Sequence, residues 1–268
     1  MDLSYDRQGS GQTLVLLHPL GADRQMWKPV MGALADHRDV IAPDLPGFGG
    51  SPELPDGQEP SPRGLAAAIS DFVNGLGVQD FHVAGNSLGG WVALEVALSG
   101  QARSVTALSP AGLWPEPLMP KRAVARALAR TVLPAVGILV GHPGTRRLML
   151  AGSVARPELV SPAAAAALVR AYATAPGFPD TNALMRAGRF QGLERIRVPV
   201  TLAWGERDRL VAAPAHMPQN VRSVILRGCG HIPTWDDPGA VTRVLLQGSA
   251  VDPTSGGRTR ATSSSSGT

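Results

Sequence analysis

The sequence predicts an α/β protein built on a doubly wound, mostly parallel β-sheet. Up to residue 108, short β-rich apolar segments alternate with helical patterns in the order β-α-β-α-β-α-β. The first of these strands, residues 13–17, is β-rich and apolar throughout, which is typical of a strand buried on both faces. After a helical block, two further strands and a helix resume the pattern. The length of 268 residues suits one large domain with an insertion, or two small domains.

The predicted strands and helices follow one another along the chain. Apolar, β-rich runs predict strands, and helical patterns bounded by capping residues predict helices. Ser61, for example, is a typical N-cap, and Pro62 suits the first helical position. Residues 3–7 supply one edge strand at most. The other predicted strands are residues 13–17, 39–43, 81–84, 104–108, 198–204 and 223–226, and the core helices are residues 26–35, 61–76, 88–98 and 238–246.

A long central segment interrupts this pattern. Residues 112–190 contain no β-rich run, and prolines divide them into helix-like patches. We therefore expect a helical insertion at 112–190 within a core formed by residues 1–111 and 191–247. The last segment, residues 248–268, is rich in Ser, Thr and Gly, so we expect it to be disordered. The helix-like patches are residues 121–133, 144–150, 161–173 and 181–188.

The composition argues against several classes of function. Apolar residues make up 44% of the chain, and no run approaches the length of a membrane span, so no integral membrane segment is expected. The first residues lack the pattern of a secretory signal, and the single cysteine, Cys229, suits a reducing cytoplasm. A net charge of +4 without a run of Lys or Arg gives no indication of nucleic-acid binding. The sequence shows no metal cluster, phosphate loop or dinucleotide fingerprint, so we expect neither a metal nor a cofactor.

A G-x-S-x-G segment carries the predicted nucleophile. Gly85-Asn86-Ser87-Leu88-Gly89 lies between a predicted strand and a predicted helix, which is the context of a nucleophile elbow. Gly85 and Gly89 flank the turn because a side chain there would clash with the neighbouring backbone. The turn places the Ser87 hydroxyl at a helix N-terminus, where free N–H groups and the helix dipole favour negative charge. An ordinary Gly-rich turn is the alternative interpretation of this segment alone.

Two further residues supply the partners that a serine nucleophile needs. A serine hydroxyl reacts poorly unless a base takes its proton and an acid orients that base. Asp208 and His231 each follow a predicted strand, so both lie at the sheet edge where functional sites collect. Taken alone, Asp208 fits a turn carboxylate and His231 a loop histidine. Glu206 is close in sequence to Asp208 but comes earlier in the turn.

Together these motifs resemble the α/β-hydrolase family over residues 3–247. The order Ser87, Asp208, His231 is the order of that family, and it differs from the chymotrypsin and subtilisin orders. The resemblance implies Ser87 as nucleophile, Asp208 as orienting acid and His231 as base. The motifs are His18-Pro19-Leu20-Gly21, Asp44-Leu45-Pro46-Gly47-Phe48-Gly49, Gly85-Asn86-Ser87-Leu88-Gly89-Gly90, Trp204-Gly205-Glu206-Arg207-Asp208 and Gly230-His231.

The resemblance assigns roles outside the triad as well. It implies an oxyanion hole formed by the backbone N–H groups of Leu20 and Leu88, and a lid formed by residues 112–190. Pro19 stands where the family usually has Gly, but the N–H that the hole needs belongs to Leu20. We expect His18 to order the oxyanion loop. The short N-terminus leaves room for fewer strands than the family's eight.

Other polar side chains have structural interpretations. We expect Asp44 to stabilise the turn after its strand, and Cys229, which has no elbow around it, to serve in packing. Arg122, Arg126 and Arg130 recur every four residues, so they share one helix face. We interpret that face as solvated. The alternative is that it attracts an acidic substrate or a membrane surface.

The function that the resemblance implies is acyl transfer to water. The chain would then be a carboxylic ester hydrolase, similar to carboxylesterases and lipases, acting on a small-molecule ester or related acyl compound. One alternative is a carbon–carbon bond hydrolase of ring-cleavage products, because Asn86 resembles the residue that those enzymes carry before their nucleophile. Their oxyanion loop is rich in Ser and Gly, however, and residues 18–23 do not match it. Another class of alternative is a hydrolase-fold receptor with little turnover. Ser87 weighs against haloalkane dehalogenase and epoxide hydrolase chemistry, since those relatives carry aspartate there.

Overall fold

The computed structural model describes residues 1–119 and 124–250. These residues form a β-sheet flanked by helices, with a helical segment between the fifth and sixth strands. Short 3-10 turns adjoin several of the helices. In chain order the elements are β1 (Tyr5–Gln8), β2 (Thr13–Leu17), α1 (Lys28–Ala35), β3 (Asp39–Pro43), α2 (Pro62–Gly75), β4 (Phe81–Asn86), α3 (Leu88–Leu98), β5 (Ala102–Leu108), α4 (Val124–Val132), α5 (Val136–Leu139), α6 (Pro143–Leu150), α7 (Pro162–Thr174), α8 (Phe178–Ala187), β6 (Val200–Gly205), β7 (Val221–Leu226) and α9 (Pro238–Gly248).

The sheet has seven strands among the described residues, in the order β1-β3-β2-β4-β5-β6-β7. β1 runs antiparallel to β3 at one edge, and every other neighbouring pair is parallel. The predicted fold class, a doubly wound and mostly parallel sheet, is therefore confirmed. β6 pairs with β5 in a register that sets Val200 opposite Val105, so the sheet continues across the helical segment.

Both faces of the sheet are covered by helices. In β2, Leu14 and Leu16 belong to the core that contains residues of α1 and α9, whereas Val15 and Leu17 belong to the core that contains α2 and α3. All four side chains are at most 1% exposed. Burying one such side chain contributes about 1.5–3 kcal/mol, so a central strand of this sheet gains from apolar residues at successive positions.

The helix boundaries follow local capping chemistry. α2 begins as predicted, because Ser61 Oγ accepts the N–H of Gly64 at 3.1 Å. The predicted helix at 26–35 differs at its start, where Arg24–Trp27 form a 3-10 turn and α1 begins at Lys28. This turn is capped by Asp23, whose carboxylate accepts the N–H of Gln25 at 2.9 Å.

The segment between β5 and β6 is helical where it is described. Helices α4, α6, α7 and α8 overlap the four predicted patches, with α8 beginning three residues earlier than expected, and α5 is an additional short helix. Residues 120–123, which include Arg122, lie outside the described residues. We refer to residues 112–190 as the helical insertion. Among the described residues, no helix is both long and apolar enough to cross a membrane.

Arg126 of α4 corrects the expectation of a solvated basic face, although Arg130 on the same face is exposed. Arg126 is only 4% exposed, and its guanidinium donates to the carbonyl oxygens of Tyr172, at 3.0 Å, and Ala175. Arg130 Nε donates to the carbonyl oxygen of Ala173 at 2.8 Å. These carbonyls lie at the C-terminus of α7, which attracts cations because its last carbonyls lack helical partners. Sequence spacing placed Arg126 and Arg130 on one face, and Arg126 on that face packs against the end of α7.

The C-terminal boundary of the fold lies later than expected. Gly248 ends α9, and Ser249, its C-cap, is 1% exposed, although both residues fall in the predicted tail. Arg38 donates to the carbonyl oxygen of Ser249 at 2.9 Å. A Cβ at residue 248 would overlap Thr106, so glycine lets the end of α9 approach the sheet. Residues 251–268, the rest of the predicted tail, lie outside the described residues.

Candidate active site

Ser87 occupies a strained turn between β4 and α3. Its backbone angles are φ 55° and ψ −114°, a region that side-chain-bearing residues rarely adopt. The Ser87 N–H donates to the carbonyl oxygen of Leu108 at 2.9 Å, and the Ser87 carbonyl accepts the N–H of Trp91 at 3.0 Å. These bonds from β5 and α3 hold the serine at the C-terminal edge of the sheet, where the first turn of α3 begins.

Space around the elbow requires glycine at both flanking positions. A Cβ at Gly85 would overlap the carbonyl oxygen of Gly89, and a Cβ at Gly89 would overlap the carbonyl oxygen of Leu17. The same Cβ would lie 2.6 Å from the carbonyl oxygen of His18. The elbow therefore packs backbone to backbone against the loop that follows β2.

The loop after β2 is ordered by His18. Its Nε2 accepts the N–H of Leu45 at 2.9 Å, which leaves Nδ1 as the donor to the carbonyl oxygen of Pro19, also at 2.9 Å. The ring is fully buried, and burial lowers the pKa of His18 below its ordinary value, so the ring is neutral. His18 thus ties the loop after β2 to the turn after β3, in agreement with its expected ordering role.

Asp44 braces the turn after β3. Its carboxylate is fully buried, accepts the N–H of Arg24 at 2.7 Å and the N–H of Gly50 at 2.8 Å, and pairs with the Arg24 guanidinium. A Cβ at Gly49 would overlap this carboxylate. All of these partners are structural, so Asp44 has the turn-stabilising role expected from the sequence.

The two amides assigned to the oxyanion hole lie in adjoining segments. Leu88 is the first residue of α3, and Leu20 lies in the loop that contacts the elbow through Gly89. Within residues 1–119 and 124–250, neither the Leu20 nor the Leu88 N–H donates to a protein acceptor. Free N–H groups at a helix N-terminus are suited to hold a developing negative charge.

Asp208 and His231 form a buried pair. His231 Nδ1 and Asp208 Oδ2 are 2.8 Å apart, and the side chains are 6% and 2% exposed. Asp208 Oδ1 accepts the N–H groups of Leu210 at 2.8 Å and Val211 at 3.0 Å. Burial alone would raise the pKa of Asp208, but the hydrogen bond and charge of His231, with the two N–H groups, hold that pKa below its ordinary value. The carboxylate is therefore ionised at neutral pH and fixes Nδ1, which leaves Nε2 for chemistry.

Glu206, the competing carboxylate, has a different partner. Its Oε2 accepts the N–H of Gly228 at 2.8 Å, and its side chain is exposed. This bond joins the loops after β6 and β7 without involving the imidazole of His231. The structure therefore brings Asp208 to the histidine and places Glu206 at the surface.

Asn86 connects the elbow to the histidine loop, a contact that the sequence did not indicate. Its Nδ2 donates to the carbonyl oxygens of Leu108 and His231, both at 2.9 Å, and the residue is fully buried. Ser87 Oγ makes no hydrogen bond to His231 in the described part of the chain. Asn86 is thus the direct link between the nucleophile segment and the His231 segment. The sequence does place Asn86 at the end of a strand that is expected to be buried, and a buried polar side chain needs hydrogen-bond partners. That position is the one signal that could have pointed to this contact.

Cys229 is inert despite its place beside the histidine. It is fully buried, and its Sγ lies 3.6 Å from the carbonyl oxygen of Arg227. Burial, reinforced by the nearby carboxylates of Asp236 and Asp237, raises the pKa of the thiol to about 12. A protonated buried thiol is not a nucleophile, which agrees with the expected packing role.

The helical insertion contacts the loops around Ser87. Gly177 donates its N–H to the carbonyl oxygen of Gly47 at 2.9 Å, and Ile232 donates to the carbonyl oxygen of Ser153 at 2.7 Å. Ser87 itself is 7% exposed. Among the described residues, no cluster of three or more His, Cys, Asp or Glu side chains is arranged to bind a metal ion.

Comparisons with known proteins agree with the fold. A model of the Alpha/beta hydrolase family matches residues 14–244. A relative named epoxide hydrolase EphH, from Mycobacterium tuberculosis, is 32% identical over 196 residues, which is 68% of this chain and 91% of the relative. A pimeloyl-(acyl-carrier protein) methyl ester esterase from Aeromonas salmonicida is 40% identical over 103 residues, 38% of this chain and 39% of the relative.

A solved structure shows the same fold over most of the chain. A thermophilic esterase from Thermogutta terrifontis superposes with a TM-score of 0.68 at 23% identity, covering 91% of this chain and 92% of the esterase. The family match, the relative that spans two thirds of the chain and the seven-stranded sheet agree with one another. The chain belongs to the alpha/beta hydrolase family and is a hydrolase.

Proposed function

We propose that this hydrolase cleaves a carboxylic ester of a small molecule through an acyl-enzyme on Ser87. The observation that carries the proposal is the buried pair of Asp208 and His231, joined at 2.8 Å. Asn86 ties this pair to the elbow by donating to the His231 carbonyl. A strained serine at a helix N-terminus, linked through Asn86 to the loop that carries an oriented imidazole, supports activation of the Ser87 hydroxyl by that base.

In the proposed reaction, Ser87 Oγ attacks the ester carbonyl while His231 Nε2 takes its proton. Asp208 stabilises the imidazolium, and the Leu20 and Leu88 N–H groups hold the oxyanion. His231 then gives the proton to the leaving alcohol, which departs and leaves the acyl group on Ser87. A water molecule, deprotonated by His231, then attacks this acyl group. His231 returns the proton to Ser87 Oγ as the bond to the acyl group breaks, which releases the carboxylic acid and restores the free serine.

The relative named as an epoxide hydrolase raises the question of which bond is cut. If Ser87 opened an epoxide, the product would be an ether between serine and substrate, with no carbonyl for water to attack. Attack on an ester leaves an acyl-enzyme that the same base can hydrolyse. A serine at the elbow therefore supports acyl transfer. The local match to a relative named as a methyl ester esterase supports the same class of bond.

The carbon–carbon alternative depended on Asn86, and the contacts of Asn86 have a simpler explanation. Its amide satisfies the carbonyls of Leu108 and His231, a need that any hydrolase with this loop arrangement would have. We also propose that the helical insertion acts as a lid, since it contacts the loops that surround Ser87. A cytoplasmic location remains a proposal that depends on the single cysteine, Cys229.

A fluorophosphonate label and a panel of p-nitrophenyl esters test the proposal. We expect rapid labelling and steady turnover in the natural sequence, and neither in Ser87→Ala. Ser99→Ala is the matched control, because Ser99 lies exposed at the other end of α3. Labelling of Ser87→Ala at the same rate would overturn the nucleophile assignment. Rapid labelling without turnover of any ester would favour a receptor or a different bond.

A further inference from the structure

A buried carboxylate shortly after His231 joins the histidine loop to the helical insertion. Asp236 is 2% exposed. Its Oδ2 accepts the N–H groups of Gly230 at 2.7 Å and Ala155 at 3.0 Å, and its Oδ1 accepts the N–H of Arg156 at 2.7 Å. One side chain therefore satisfies three backbone donors from two segments that are distant in sequence.

The two backbones that Asp236 joins are in direct contact. A Cβ at Gly230 would lie 2.8 Å from the nitrogen of Ala155, closer than real Cβ atoms approach. Next along the chain, the Ile232 N–H donates to the carbonyl oxygen of Ser153 at 2.7 Å. The insertion thus lies against the loop on both sides of His231, with no space for a side chain between the two backbones.

Among the described residues, the hydrogen-bond partners of Asp236 are all backbone N–H groups. Hydrogen bonds to an ionised carboxylate are roughly twice as strong as bonds between neutral groups. Removing this acceptor would leave three backbone donors without a partner, two of them in the insertion and one beside His231. The next residue, Asp237, is different, because its Oδ1 accepts the N–H of Ala240 at 2.8 Å and only caps α9.

We propose that Asp236 is a positioning residue that fastens the helical insertion to the His231 loop, so that the insertion and the general base are held as one unit. This inference depends on the proposed function in one respect, which is that His231 is taken to be the general base. Among the described residues, Asp236 forms no hydrogen bond with Ser87 or with the imidazole of His231, and it acts by fixing the backbone on which the imidazole is carried. Displacement of a catalytic group by about 1 Å can cost on the order of 100-fold in rate, so a loosened loop would slow chemistry without removing a catalytic side chain.

The test compares Asp236→Asn with Asp237→Asn. Both changes replace a carboxylate by an amide on the same loop. Both oxygens of Asp236 accept backbone N–H groups, so an amide there must turn its NH₂ group toward a donor, whereas Asp237 accepts through Oδ1 and an amide can keep its oxygen at that position. Amide hydrogen exchange is measured at residues 153–156 and 229–232 without substrate, and the limiting rate and apparent affinity of fluorophosphonate labelling are measured separately. We expect Asp236→Asn to increase exchange in both segments together and to lower the limiting labelling rate on the order of 10- to 100-fold with little change in affinity. Asp237→Asn should change neither segment.

A measurement on the natural sequence covers the case in which Asp236→Asn does not fold. The amide protons of Ala155, Arg156 and Gly230 should then exchange slowly and with one common rate of opening. Much faster exchange at the two insertion amides than at Gly230 would overturn the proposal. So would an Asp236→Asn protein whose two segments exchange as in Asp237→Asn. Hydrogen exchange can be measured without enzymatic activity. If the natural sequence is not labelled, the proposed function is wrong, but the exchange measurement still tests the role of Asp236.

Discussion

Asn86 donates a hydrogen bond from its side-chain amide to the main-chain carbonyl of His231 at 2.9 Å, although the two residues lie far apart in the chain. The same nitrogen donates to the carbonyl of Leu108. A residue at the end of β4 thus fixes the end of β5 and the loop after β7. This arrangement explains how three segments stay aligned around Ser87.

Asn86→Ala should impair both stability and activity. The change removes the donor to the buried carbonyl of His231, whereas the carbonyl of Leu108 still accepts the N–H of Ser87, so we expect the free energy of unfolding to fall by about 1–3 kcal/mol. The His231 loop loses its link to the elbow, so kcat/KM should fall on the order of 100-fold. Urea unfolding and ester kinetics measure the two effects. Asn74→Ala, at an exposed position of α2, is the control, and equal behaviour of the two variants would show that the link is unimportant.

Asp208→Asn should slow ester hydrolysis far more than Glu206→Gln. The first variant keeps the shape of the side chain and removes the charge that stabilises the imidazolium, which by analogy with other triads costs up to about 10⁴-fold in rate. The second variant weakens only an exposed bond to Gly228. Comparison of kcat for the two purified variants decides the point. A larger loss in Glu206→Gln would mean that the acid is Glu206.

Gly89→Ala should abolish the folded elbow, whereas Gly32→Ala should be tolerated. A Cβ at Gly89 overlaps the carbonyl oxygen of Leu17, while a Cβ at Gly32, in α1, meets no atom within 4 Å. Alanine in a helix is favoured over glycine by up to about 1 kcal/mol, so Gly32→Ala should raise Tm slightly. Thermal unfolding followed by circular dichroism tests both. A Gly89→Ala protein with unchanged Tm and labelling rate would contradict the packing seen at the elbow.

His82 should make the protein less stable as the pH falls from about 6.5 to about 4. The ring is buried against Ser104 Oγ at 2.8 Å, and burial, with the charges of Arg38 and Arg103, lowers the pKa of His82 to about 4. The unfolded chain binds this proton near pH 6.5, the ordinary value. The unfolded state therefore binds more protons within this window, so stability is lost on acidification and levels off below pH 4.

Unfolding free energies of the natural sequence and His82→Gln across that window provide the check. The natural sequence should lose more stability than the variant between pH 7 and pH 4, because the variant has no proton to bind at this site. Parallel curves for the two proteins would show that His82 titrates alike in the folded and unfolded states.

Two truncations should separate the fold from the tail. Deleting residues 251–268 should leave Tm unchanged, because that segment has almost no apolar side chains to bury. Deleting residues 248–268 should lower Tm, because it also removes the buried Ser249 and its bond to Arg38. Equal Tm values for the two shortened proteins would place the end of the fold before Gly248.

The sequence predicted those features that depend on local pattern. The succession of strands and helices along the chain, the Ser61 cap and the glycines at positions 85 and 89 depend on periodicity, capping and steric space between near neighbours. The pairing of Asp208 with His231 was accessible through motif order, because parallel strands bring their C-terminal ends to one edge.

The remaining contacts could not be predicted, because they join distant segments through single hydrogen bonds. Nothing near Asn86 in sequence indicates that its amide donates to His231, and nothing near Asp236 indicates its three backbone partners. Arg126 also shows that local sequence does not reveal contacts between distant segments. Its spacing predicted a helix face correctly, but which face meets solvent depends on where α7 ends.

Helix α4 buries a charged side chain and exposes aliphatic ones, which has a consequence for the redesign of this surface. The buried Arg126 donates to two carbonyl oxygens, whereas Val124 and Leu128 on the opposite side of the helix are 68% and 63% exposed. Replacing Arg126 by leucine on the basis of hydropathy alone would remove the side-chain donors to the carbonyls of Tyr172 and Ala175. The residues to replace are the exposed aliphatic ones: lysine or glutamate at Val124 and Leu128 would improve solubility and would leave the contacts between α4 and α7 in place.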